Sequence, residues 1–381
     1  MDKNSYRHQQ DLKNIEKIRE LLEELPGFCK QYFLSLESRK STNTRKNYAY
    51  DLLNFFHFLK EHNPYFEKRE IHSLKVEELD LLSPMDIEEY MSYLQYYVRG
   101  QKQFTNSPEG RARKLSSLRT FYDYFLKKKM IQTNPARQVD VPKIKEHNII
   151  RLEPNEVAEL LDQTESGEKL TKKQLESHQK TKLRDVAILT LLLGTGIRVS
   201  ECVGLNLNDV NFDDYSLKII RKGGNEDLVF FGDEVADALF DYLENDRDFK
   251  TPVEGHEDAL FISMKNMRLT TRSIERLVKK YTSGVTTLKR ITPHKLRSTF
   301  GTNLYQETGD IYLVADTLGH KDVNTTRKHY AGMKEANKRK AAKALRLREN
   351  RPAPDSESVP NTKITPDTDH SSNEDIINQT N

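Results

Sequence analysis

The stretch Arg184–Gly196, RDVAILTLLLGTG, constrains the fold most, because apart from Thr190 it is apolar throughout Val186–Leu193. A helix apolar on every side has to be surrounded by other elements, and this one is too short to cross a bilayer. It therefore predicts the central helix of a globular domain, ended by the Gly-Thr-Gly break at 194–196. Downstream, SLKII and LVFF flank the turn residues RKGGNED, with Gly223-Gly224-Asn225 suited to a β-hairpin. Helical periodicity then returns near 233–246, 270–282, 293–308, 310–319 and 322–330, and in MKEANKRKAAKALRLRE after that. The expected domain runs from 152 to 349 and is mainly α with one small β-hairpin or sheet.

The N-terminal part reads as all-helical. Leu12, Ile15, Ile18, Leu21 and Leu22 fall at helical spacing, and Pro26-Gly27 closes that segment, so residues 1–24 form a helical extension. A second helix opens at the capping run Ser41-Thr42-Asn43-Thr44 and carries Tyr48, Leu52, Phe55, Phe56 and Leu59 as its apolar stripe. A third begins at Ser83-Pro84. Residues 99–110 have no apolar period and read as a loop. A fourth helix turns Leu115, Leu118, Phe121, Tyr122 and Phe125 inward and leaves Arg111, Arg113, Lys114 and Arg119 on its other face. Residues 25–138 are thus a small helical domain, 139–151 a linker, and 350–381 an acidic tail too poor in apolar residues to fold.

The charge divides along the chain. Residues 352–381 hold one lysine against six acids, a net of −5, which leaves +8 on residues 1–351. A basic body is compatible with nucleic acid. Two cysteines, Cys29 and Cys202, exclude a disulfide framework and a cysteine-rich zinc site. No apolar run approaches a membrane span, and the opening MDKNSYRHQQDLKNIEK lacks the apolar core of a secretory signal. A cytoplasmic enzyme is expected.

Three motifs occur in order: GTGIRVSE at 194–201, TPHKLRSTF at 292–300 and LGHKDVNTTRKHY at 318–330. Each alone has an ordinary structural explanation; their combination is specific. Together with STNTRKNYAYDLLNFF and RKLSSLRTFYDYFL…NPA in the helical domain, the chain resembles the tyrosine recombinase (phage integrase) family, closest to its Xer-type members, over roughly residues 25–345. The resemblance implies a two-domain DNA clamp: a helical, SAM-like core-binding domain and an α+β catalytic domain.

The residue chemistry agrees. The two non-bridging oxygens of a phosphodiester gain charge in a pentavalent transition state. Arg198 and Arg297 can grip them, because a guanidinium stays protonated and presents a planar fork. His294 lies three residues before Arg297 and shares its helix face. His320 can donate to the same phosphate, and fixed donors of this kind supply much of an enzyme's rate enhancement. Tyr330 is the candidate nucleophile; with an ordinary pKa near 10 it needs a base or a strongly positive site, and His294 is the candidate base. The family places its catalytic lysine at a hairpin like this one, which makes Lys222 the candidate acid, although Arg221 and Lys218 are also at hand. Glu201 can orient Arg198. The product is a 3′-phosphotyrosine that retains the bond energy, so neither ATP, a metal nor another cofactor is required.

The resemblance further implies double-stranded DNA with a specific site as substrate, Arg45 and the basic helix as DNA contacts, and a homotetramer joined by exchange of residues 334–349, with room for an accessory protein. Chromosome-dimer resolution and integration or excision of a mobile element use the same residues. A type IB topoisomerase and a catalytically inactive DNA-binding protein are the alternatives. Two positions depart from the family pattern: Ser298 stands where histidine is common, and His320 and Tyr330 are ten residues apart rather than nine.

Overall fold

Apolar stripes at helical spacing become helices packed into two separate cores. The computed structural model of the chain describes residues 6–144, 150–221, 223–320 and Val323. The N-terminal part comprises α1 (Tyr6–Glu24), α2 (Cys29–Leu36), α3 (Thr42–His62), the single turn α4 (Pro64–Glu67), α5 (Pro84–Tyr93), the hairpin β1 (Tyr96–Arg99) and β2 (Lys102–Thr105), and α6 (Pro108–Lys127). Side-chain oxygens start the long helices: Ser41 caps α3 by accepting from the Thr44 N–H, and Ser107 caps α6 by accepting from the Gly110 N–H. The core between them is aromatic, with Phe55, Phe56, Phe121, Tyr122 and Phe125 all fully buried. Edge-to-face contacts, Phe28 on Phe125 at 5.3 Å and Tyr32 on Phe121 at 5.2 Å, join α2 and its approach to α6.

The segment 99–110, expected as a loop, instead contributes to an antiparallel hairpin in which Tyr97 faces Phe104. A stacked ladder of Tyr93, Tyr97 and Phe104, with centroids 4.7 and 5.1 Å apart, holds it against α5. Gly100 turns the chain at a φ of 59°. Every residue of β2 is exposed, so no alternation of apolar and polar residues marked it as a strand.

The C-terminal part comprises α7 (Pro154–Ser166), α8 (Lys172–Gln179), α9 (Lys182–Thr195), α10 (Val199–Gly204), β3 (Val210–Asn211), β4 (Ser216–Ile220), β5 (Glu226–Phe230), α11 (Asp233–Tyr242), α12 (Thr271–Thr282), α13 (Pro293–Thr308) and α14 (Ile311–Thr317). The all-apolar stretch is α9, and α7, α11 and α13 pack around it. The three strands form an antiparallel sheet in the order β3-β4-β5, with Ile219 opposite Asp227. Apart from Val323, the expected helix over 322–330 and the one after it lie outside the described residues. Cys29 and Cys202 are free and buried, and burial pushes both thiols up.

Helix α1 touches both cores. Ile18 and Leu21 are buried in the first. At its other end Tyr6 packs against the second, with the Arg268 guanidinium 5.5 Å from its ring centroid, and Arg7 donates to the Arg221 carbonyl at 3.4 Å.

One buried polar cluster pins α8, α9 and α12. Asp185 is 1% exposed and accepts from Tyr281 Oη at 2.8 Å, Lys280 Nζ at 3.0 Å, Thr181 Oγ1 at 3.0 Å and Arg184 Nη2 at 2.7 Å. Burial alone would raise its pKa, but the Arg184 and Lys280 charges outweigh it and hold the carboxyl below 3.8. His178, bonded through Nδ1 to Tyr281 Oη at 2.9 Å, is held below 6.5 by burial and by Lys280. A group whose folded pKa is depressed contributes stability above its unfolded pKa and loses it as pH falls toward the folded value. Melting temperature should therefore fall on acidification below about 6.5, and fall further below about 3.8 as Asp185 protonates. His178→Gln should shrink the first segment in a melting series, leaving the part due to His57, which burial also holds below 6.5; an unchanged profile would remove His178 from this account.

Candidate active site

The site is built where three turns meet. Helix α9 ends at Gly196, whose φ of 63° belongs to the left-handed region. A Cβ there would overlap the Phe300 ring, so glycine is required twice over. Ile197, 1% exposed, anchors the chain in the core. Arg198 follows in extended conformation as the residue before α10. Its own N–H donates to Glu201 Oε2 at 2.7 Å and its Nη1 to Glu201 Oε1 at 2.8 Å. Glu201 thus meets Arg198 at both of its oxygens, with its side chain only 3% exposed. Arg198 keeps a solvent-facing edge, at 32% exposure.

Pro293 starts α13, leaving His294 exposed on the first turn and Arg297 buried one turn later. Arg297 Nη1 donates to the Gly196 carbonyl at 2.7 Å and its Nη2 to the Leu318 carbonyl. The end of α14 gathers these groups. Its last carbonyls have no partner within the helix and form the negative end of its dipole. Three consecutive carbonyls there each receive a different arginine: Thr317 from Arg221 Nη2 at 2.9 Å, Leu318 from Arg297, and Gly319 from Arg198 Nη2 at 3.3 Å. The next residue is His320, whose N–H closes on the Ala315 carbonyl at 2.9 Å. Arg198, Arg297 and His320 are therefore brought to one helix end. Lys222 and Tyr330 lie outside the described residues.

Arg221 is the residue that sequence reasoning underrated. It was only an alternative acid, yet it also donates to Asp227 Oδ2 at 2.7 Å and to Glu201 Oε2 at 3.4 Å. Its adjacency to Lys222 was the only signal.

The basic helix is used differently along its length. Arg119 is turned inward and donates to the carbonyls of Ala136 and Val139. Lys114 bonds Asp51 at 3.0 Å and is 12% exposed. Arg45 is 8% exposed and bonds Glu37 at 2.9 Å. Arg113 also bonds Asp51, at 2.7 Å through Nη2, but is 49% exposed. Arg111 is half-buried. Among the described residues no group of three or more His, Cys, Asp and Glu side chains could hold a metal ion, and no helix is long and apolar enough to cross a membrane.

Two family descriptions match the chain: Phage integrase family over residues 151–337, and Phage integrase, N-terminal SAM-like domain, over residues 29–129. Tyrosine recombinase XerC of Caldanaerobacter subterraneus subsp. tengcongensis is 34% identical over 306 residues, covering 77% of this chain and 79% of the relative. The chain belongs to the phage integrase family of tyrosine recombinases. Within that family it is also similar to tyrosine recombinase XerD of Oceanobacillus iheyensis, 30% identical over 77% of this chain and 89% of the relative. The recombinase fold is shared with XerH site-specific recombinase bound to its difH substrate, at a TM-score of 0.55 and 21% identity, over 78% of this chain and 79% of that one. Helix α1 precedes both matched segments of the recombinase.

Proposed function

We propose that this tyrosine recombinase cuts and rejoins double-stranded DNA at a specific site through a 3′-phosphotyrosine intermediate, using its own cations in place of a metal. The observation that carries the reading is the convergence of Arg198 and Arg297 on consecutive carbonyls next to His320. Two fixed guanidiniums and an imidazole beside one another suit the non-bridging oxygens of a phosphodiester. Tyr330 attacks phosphorus, and its proton passes to His294. The bond to the 5′-oxygen breaks, and Lys222 protonates that oxygen as it leaves. A 5′-hydroxyl from a second strand reverses these steps. A cyclic homotetramer over two sites, joined through the segment after Tyr330, completes the exchange. The similarity to XerC and XerD favours chromosome-dimer resolution over a mobile-element role.

The test uses a nicked duplex carrying a site selected from randomised DNA by tight binding, incubated with the protein in EDTA. Loss of the short fragment beyond the nick traps any covalent intermediate. An SDS-stable adduct at one position is expected; its absence on a tightly bound site would leave binding without catalysis.

We also propose that Arg111 and Arg113 contact phosphates and that Arg119 is structural. Affinity should fall steeply with salt, by roughly 0.9 in log–log slope per phosphate contacted. Arg113→Ala should reduce the slope by about one contact. Arg119→Ala should leave the slope alone and lower the melting temperature, because two carbonyls lose their donor. A reduced slope with Arg119→Ala would reverse the assignment.

A further inference from the structure

We infer that Arg221 is a positioning residue for the phosphate clamp: held by Asp227, its guanidinium fixes Glu201, and through it Arg198, together with the last turn of α14 before His320. The inference rests on the reading of Arg198 as a phosphate ligand. Arg221 is the last residue before the hairpin turn, and its backbone is closed there by Arg221 N–H to the Asn225 carbonyl at 2.8 Å and Gly224 N–H to the Arg221 carbonyl at 3.0 Å. Its side chain does not follow the turn into solvent. It folds back, 11% exposed, and makes three bonds to three different elements. Nε meets Asp227 on β5 at 2.7 Å, Nη1 meets Glu201 on α10 at 3.4 Å, and Nη2 meets the Thr317 carbonyl at the end of α14 at 2.9 Å.

Two details make this arrangement specific. Glu201 has one oxygen for the Arg198 guanidinium, while the other is shared between the Arg198 N–H and Arg221. Arg221 therefore supplies a second positive charge to the carboxylate that aims Arg198. At the other end, a Cβ on Gly319 would come within 2.8 Å of Arg221 Nε, and Gly319 has a φ of 59°. The glycine before His320 thus lets the guanidinium lie against the backbone. Lysine could make one such bond but not three in a plane.

A role through Arg198 predicts a chemical signature that a loss of folding does not produce. Single-turnover cleavage is measured on two nicked duplexes with the selected site, one with the ordinary scissile phosphate and one with a methylphosphonate. The methyl group removes the charge that the arginines meet. Arg221→Met should cleave the phosphate roughly 10–100-fold more slowly, the range typical of removing a group that orients an active-site ligand. DNA affinity should stay unchanged, and the deficit should shrink on the methylphosphonate. Arg198→Ala should show the same pattern more strongly. Arg221→Lys should fall between wild type and Arg221→Met. Should Arg221→Met prove unstable, Asp227→Asn loosens the same guanidinium from a 42% exposed position and should give a weaker version of the pattern.

Equal slowing of both substrates by Arg221→Met would overturn the inference. So would full restoration by a 5′-bridging phosphorothiolate, whose better leaving group bypasses the acid, since Arg221 would then serve the leaving group. If Arg198→Ala itself cleaved the phosphate at the wild-type rate, the underlying assignment of Arg198 would fail instead.

Discussion

Tyr330→Phe is expected to bind a selected site with wild-type affinity and to form no SDS-stable adduct with it. The substitution removes one oxygen, the atom that would become bonded to phosphorus, and leaves the size and shape of the ring. The proposed arginine contacts with the phosphate do not depend on that oxygen, so binding should persist. Loss of the nucleophile from a covalent-catalysis site costs on the order of 10⁴- to 10⁶-fold, which is abolition in a gel assay. Neighbouring tyrosines are poor substitutes. Tyr305 is 8% exposed within α13, and Tyr312 stands on the first turn of α14, at the end away from His320. An adduct formed by Tyr330→Phe would show that another residue attacks, and peptide mapping of the adduct would identify it.

Arg297→Ala should be the most damaging change among the described site residues, and it should act twice. Arg297 is 5% exposed and ties the Gly196 carbonyl at the end of α9 to the Leu318 carbonyl at the end of α14. Without it, cleavage should fall about 10²- to 10³-fold, as when a positioned donor to a developing oxyanion is deleted. Stability should fall as well, by roughly 1–3 kcal/mol for each buried carbonyl left without a partner. Measuring cleavage well below the melting temperature separates the two effects. His294→Gln gives a comparison at an exposed residue of the same helix, where loss of the proposed base should slow cleavage. An Arg297→Ala protein that cleaved normally while melting early would make Arg297 structural only.

Much of this was legible from local pattern. The stripe Leu52–Phe55–Phe56–Leu59 and the all-apolar stretch at 186–193 became buried helices because burial follows periodicity directly. The three motifs named Arg198, Arg297 and His320, and the fold brings all three to the end of α14. What stayed hidden depended on contacts between distant segments. Strand β2 has no buried face, and the hairpin's aromatic ladder draws one ring, Tyr93, from α5. Arg119 sits on the polar face of its helix by sequence, but the chain at 136–139 returns over that face and captures it. A turn arginine such as Arg221 reads as a solvated charge until Glu201, Asp227 and the Thr317 carbonyl are known to surround it. Asp185 looks like an ordinary first-turn acid until Lys280 and Tyr281 arrive from 95 and 96 residues away.

The three arginines at the end of α14 have a thermodynamic consequence. A free arginine side chain carries roughly 2 kcal/mol of rotamer entropy, and a ligand that had to immobilise Arg198 and Arg297 on arrival would bear that cost. Here the carbonyls of Leu318 and Gly319 already hold both side chains, so their ordering belongs to folding. On the proposed reading, phosphate entering the site would meet donors that barely need to move, and calorimetry of site binding should find little side-chain entropy loss there. The same wiring makes the clamp a single mechanical body. Since residues 317–319, at and just after the end of α14, hold all three guanidiniums and lead into His320, displacing them would release the proposed phosphate donors together rather than one at a time.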